Sequence, residues 1–132
     1  MSRSRNAAFP LVLVAALALA GCSANDGYPI FDRPPEASDS IPDDFGDNQV
    51  KDLDLDTARL AGEFNRNSLY LVRSTSGSIC LAIYPAGFVS CGGDGPMGAY
   101  MIGVGTFEVS PTPQADKEGW TRISENIIAK RN

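Results

Sequence analysis

Cys80 and Cys91 stand on either side of a Pro85-Ala86 turn signal, and this pair constrains the fold more than any other feature of the chain. If Pro85-Ala86 turns the chain, Tyr84 faces Gly87, Ala82 faces Val89 and Cys80 faces Cys91. Opposed residues on antiparallel strands lie about 4.5–5.5 Å apart at Cα, within reach of a disulfide. A redox pair would instead need Cys-x-x-Cys spacing or a nearby cation to lower a thiol pKa. Neither is present, so the expectation is a structural disulfide worth about 3 kcal/mol through loop closure. Small exported domains with little core commonly depend on such a staple.

The sequence around this hairpin reads as short strands separated by turn residues. Ala58 to Phe64 precedes Asn65-Arg66-Asn67, and Ser68 to Arg73 precedes Thr75-Ser76-Gly77. Ser78 to Tyr84 and Phe88 to Cys91 form the cysteine hairpin, after which Gly92 to Gly98 is a glycine-rich loop. Ala99 to Ile102 and Thr106 to Val109 follow, then a loop from Pro111 to Gly119 and one closing strand from Trp120 to Ile128. Thr57 to Phe64 also fits a short helix, because Leu60 and Phe64 are spaced i, i+4. The pattern predicts a mostly β domain over residues 52–132, an antiparallel meander forming a sandwich or a partly open barrel.

Upstream the composition changes. Between Ser23 and Asp56, ten acidic side chains face only Arg33 and Lys51, a net of −8, and Pro29, Pro34, Pro35 and Pro42 interrupt any regular element. High charge with little apolar content predicts a disordered, self-repelling spacer over residues 22–51. It would hold the domain off a surface or engage a basic partner. Tyr28-Pro29-Ile30-Phe31 is a small apolar island within it. Asp52, Asp54, Asp56 and Glu63 match the carboxylate spacing of a calcium-binding EF-hand loop. Thr57 occupies the position that needs Gly, and Arg59 would place a cation beside the ion, so alternating solvated aspartates are preferred.

The amino-terminal segment carries Arg3 and Arg5 without an acid, then fourteen apolar residues from Ala7 to Ala20. A helix of that length spans about 21 Å at roughly 1.5 Å per residue, short of a hydrocarbon core of about 30 Å. The arrangement is that of a secretory signal peptide over residues 1–21 rather than a retained membrane helix. Leu19-Ala20-Gly21-Cys22 resembles the lipobox of bacterial lipoproteins. The resemblance implies cleavage before Cys22, a diacylglycerol on its thiol and acylation, for instance with palmitate, of the new amino terminus. Two acyl chains anchor durably where one binds marginally, because each buried methylene contributes about 0.8 kcal/mol. Without that chemistry Cys22 would be an odd thiol in an exported protein. By layout alone, the remainder is similar to small lipoproteins of Gram-positive bacteria with high-GC genomes, a likeness that carries no activity.

Several chemistries are disfavoured. The chain has no histidine, which removes Ser-His-Asp and Cys-His nucleophilic sites and His-based zinc sites. A net charge of −5 without a basic stripe is a poor match for nucleic acid. Gly92-Gly93-Asp94-Gly95 opens no helix and lacks a following Lys, so it is no phosphate loop, and Gly103-Val104-Gly105 fails as a dinucleotide fingerprint. Glu63, Asp94 and Glu108 are the acids spread through the strand-rich stretch, where a glycosidase would need a carboxylate pair. Tyr70, Tyr84, Tyr100 and Trp120 are candidates for a binding surface, although aromatics in so small a domain are more often core. No catalytic residue, metal ligand or cofactor is expected. The expected role is a membrane-anchored extracytoplasmic protein that binds or supports an unidentified envelope protein or ligand; a small cell-surface enzyme or enzyme inhibitor is the alternative.

Overall fold

The computed structural model describes residues 27–93 and 95–132. The signal peptide and Cys22 therefore lie outside the described residues. Eight strands form two antiparallel sheets. The first contains β1 (Leu53–Phe64), β2 (Asn67–Ser74), β3 (Ile79–Tyr84) and β4 (Phe88–Cys91) in that spatial order. The second contains β5 (Met97–Met101), β6 (Gly105–Val109), β7 (Thr121–Ser124) and β8 (Ile127–Lys130), ordered β5-β6-β8-β7. The two sheets stack as a β sandwich, not a closed barrel, and the first is a simple meander.

The core follows from alternation along the strands. Leu69, Leu71, Ile79, Leu81 and Ile83 from the first sheet meet Ala99, Phe107, Val109, Ile127 and Ala129 from the second. Tyr70, Val72, Cys80 and Ala82 point to the opposite face of the first sheet and are buried as well. Strands buried on both faces read as continuous apolar runs, which is why Leu69 to Val72 shows no polar alternation. Gly62 permits a close approach between the sheets at the β1 edge, where a Cβ would lie 2.6 Å from Ile123 Cγ2.

The outer face of the first sheet is covered by the segment expected to be disordered. From Tyr28 to Val50 it forms three 3-10 turns (Pro29–Asp32, Ala37–Asp39, Asp43–Phe45) and a short helix α1 (Asp47–Val50). Its early turns pack against β1 and α1 reaches β4, so it crosses the sheet as a strap. This corrects the spacer expectation for residues 27–51. Mean charge concealed the spacing of the apolar residues. Tyr28 enters the core between the sheets, Ile30 and Phe31 pack beside it, and Phe45 is buried on the outer face with Ile41 and Val50 around it.

Two local expectations also change. Thr57 to Phe64 is strand, not helix, because Arg59 to Phe64 pairs with Asn67 to Leu71. The closing strand is two strands, broken at Glu125-Asn126, so β7 folds back onto β8 and β8, not β7, lies beside β6. The Asn126 side chain holds that break by donating to the carbonyls of Gly27 at 2.9 Å and Ser110 at 2.8 Å.

Candidate functional site

The strap is fastened at Asp39. Both carboxylate oxygens accept from the Arg33 guanidinium at 2.7 Å. Oδ2 also accepts from the Glu36 backbone N–H and Oδ1 from that of Leu60, each at 2.7 Å. The Arg33 hydrogen bonds, together with those two N–H donors, hold the Asp39 carboxyl far below the usual carboxylate range although burial opposes it. Arg33 is correspondingly raised by the same hydrogen bond. Arg59, buried beneath, spends its guanidinium on the carbonyls of Arg33, Asp56 and Ala58. A carboxylate with four donors is a fastening, poorly suited to take up a proton. A cleft of about 290 Å³ beside it is floored by Ala58 and edged by Leu55 and Asp56.

The four candidate aromatics are divided between the two outer faces. Tyr70 is buried under the strap, and burial pushes its phenol pKa up. Tyr84 stacks on Phe45 at 6.3 Å and donates to Asp44 Oδ2 at 3.0 Å, a bond that raises its pKa. Both therefore serve the strap. Tyr100 and Trp120 belong to the second sheet's outer face, and only these two of the four occupy a surface free of the strap.

That outer face has two rows across the strands. Gly98, Glu108, Ile128 and Arg122 are aligned in one; Tyr100, Thr106 and Lys130 are aligned in the other. Trp120, just before β7, extends the second row. Lys117 and Lys130 stand 4.8 and 5.6 Å from its ring centroid, a cation on each contact. Lys117 also donates to both oxygens of Glu108, at 2.9 and 3.0 Å. Arg122 donates to Asp116 and to the Gln114 carbonyl. The loop from Pro111 to Gly119 thus lies across this face and is tied to it through Gln114, Asp116 and Lys117. Between it and β5 opens a cleft of about 540 Å³ lined by Pro96, Met97, Gly98, Glu108, Val109 and Gln114.

No family model, curated protein or solved structure matches this chain.

The remaining assignments rest on the geometry. Cys80 and Cys91 are joined, with Cα atoms 4.0 Å apart and in the register expected from the Pro85-Ala86 turn. Among the described residues no group of three or more His, Cys, Asp or Glu side chains gathers as a metal site. Of the EF-hand-like acids, Asp54, Asp56 and Glu63 are drawn into β1 and Asp52 immediately precedes it, and an extended backbone cannot wrap an ion. Also among the described residues, no helix is long and apolar enough to cross a membrane. Sequence reasoning missed Asp39, Arg33 and Asn126. The bond from Asn126 to Gly27 spans 99 residues and leaves no local pattern. The Lys117-Trp120 spacing was visible, but only the loop's path onto the sheet gives it meaning.

Proposed function

We propose that this protein is a lipid-anchored, extracytoplasmic β sandwich that binds or supports a component of the cell envelope. One observation carries the anchor. Of three cysteines, Cys80 and Cys91 are bonded to each other, which leaves Cys22 at the end of Leu19-Ala20-Gly21-Cys22 with the lipid as its remaining chemistry. The disulfide also supports export, since such bonds persist in oxidising compartments. A binding or supporting role is favoured by where the carboxylates are committed. Asp39 is locked by four donors and Glu108 is paired with Lys117, so neither is placed to shuttle protons.

The test is metabolic labelling with a fatty acid in cells expressing the full chain and its Cys22→Ser variant. The wild type should carry the label and fractionate with membranes, whereas Cys22→Ser should carry none and be released or remain as precursor. Label that persists in the variant overturns the anchor.

A further inference from the structure

The two outer faces differ in charge and in exposed chemistry. The strap and the start of β1 carry Asp32, Glu36, Asp39, Asp43, Asp44, Asp47, Asp52, Asp54 and Asp56 against Arg33 and Lys51. The second sheet with its later loops carries Lys117, Arg122, Lys130 and Arg131 against Glu108, Asp116, Glu118 and Glu125, a net of zero where the strap side is strongly negative. Glu108 and Asp116 are engaged by Lys117 and Arg122. Lys130 stands in the Tyr100–Thr106 row itself, 5.6 Å from the Trp120 ring, and makes no ion pair among the described residues. The same region holds two of the three large apolar side chains exposed among the described residues: Tyr100 at 61% and Ile102, in the β5–β6 turn, at 83%. Aromatic rings beside lysine and arginine are the residue types that settle at a lipid–water interface, and anionic headgroups attract nearby cations.

We infer that the outer face of the second sheet, through Tyr100, Ile102, Trp120 and Lys130, lies on an anionic lipid surface and turns the acidic strap away from it. This rests on the anchor proposed above, because the anchor supplies the proximity that makes a weak contact effective. Five residue steps separate Cys22 from Gly27, a reach of at most about 18 Å. Gly27 is built into the fold at this same sheet: its carbonyl accepts from Asn126, and a Cβ there would come within 2.6 Å of Pro111. The next residue, Tyr28, is 1% exposed. Tethering by so short a leash confers a high effective concentration at the surface. The acidic face is meanwhile repelled by the headgroups, so the preference between faces is set by charge.

The experiment places the full lipidated chain in phosphatidylcholine vesicles containing phosphatidylglycerol and a dansyl-headgroup lipid. Trp120 is the sole tryptophan, so its energy transfer to dansyl reports the distance of this face. A Trp120→Phe/Asn48→Trp variant reports the strap instead, since Asn48 is exposed on α1. Transfer from Trp120 should exceed that from the strap reporter at least twofold, and the excess should shrink in high salt. It should shrink likewise in a Lys130→Glu variant whose melting profile matches the wild type. Equal transfer from the two positions, greater transfer from the strap, or indifference to both salt and the charge reversal overturns the inference. Fatty-acid label on Cys22 is read on the same preparations. Labelled protein with equal transfer removes the lipid-facing surface alone, whereas protein that never acquires the label removes the anchor and, with it, this inference.

Discussion

Asp39 shows how a single residue inverts the meaning of a region. In the sequence it is one of ten acids in a proline-broken stretch. In the structure the residue is 2% exposed and its carboxylate receives two guanidinium and two backbone donors. Hydrogen bonds to a charged group contribute about 1.5–3 kcal/mol each where the partner is buried, and Arg33 is partly solvated, so the lower end applies. Asp39→Asn keeps the shape, removes the charge and turns an acceptor into a donor facing donors. The variant should unfold in urea with a stability about 2 kcal/mol below wild type at pH 7. Because the folded pKa is depressed, this stabilisation is present above the unfolded carboxylate pKa of about 4 and is lost as pH falls below it. The gap between wild type and Asp39→Asn should therefore narrow as the pH is lowered from about 5 toward 3. A gap that stays constant over that range would show that the Asp39 charge is not what fastens the strap.

Among the elements, the cysteine hairpin was legible in the sequence and the strap was not. The hairpin could be read because its information is local: strand-forming apolar runs, a Pro85 turn and two cysteines in matching register all lie within twelve residues. The strap's information is distributed. Tyr28, Ile41, Phe45 and Val50 are separated by polar residues, and each finds its apolar partners on strands that come later in the chain. The break between β7 and β8 was missed for a related reason. Asn126 is a turn-forming residue, but Ser124-Glu125-Asn126 carries no glycine or proline, and the turn is held by bonds from Asn126 to distant carbonyls. If the strap is structural, Phe45→Ala should cost about 3–5 kcal/mol, the usual range for a buried phenylalanine truncated to alanine. Leu55→Ala, at a site 47% exposed on the bulged part of β1, should cost well under 1 kcal/mol. Chemical denaturation of the two variants separates a structural cover from a solvated spacer, for which both changes would be nearly silent.

At the scale of the whole molecule the dominant feature is polarity of charge across a thin sandwich. The strap face concentrates like charges within distances comparable to the Debye length, which is about 8 Å at physiological ionic strength and about 30 Å at 0.01 M. Their mutual repulsion opposes the compact state, because unfolding lets the acids separate. The Arg33–Asp39 fastening acts in the other direction, but its four hydrogen bonds are short and its carboxylate is buried, so salt weakens it less. Screening should therefore relieve more repulsion than attraction. Raising sodium chloride from about 0.01 M to 0.15 M should raise the melting temperature of the Cys22→Ser protein, which lacks the proposed anchor and so reports the fold without a membrane. Asp43→Asn/Asp47→Asn, which removes two exposed strap charges that make no ion pair among the described residues, should raise the low-salt melting temperature and flatten the salt dependence. A melting temperature that falls with salt would mean that attraction across the strap outweighs its repulsion. The acidic face would then be internally compensated, and it would give an anionic surface little reason to prefer the opposite side of the sandwich.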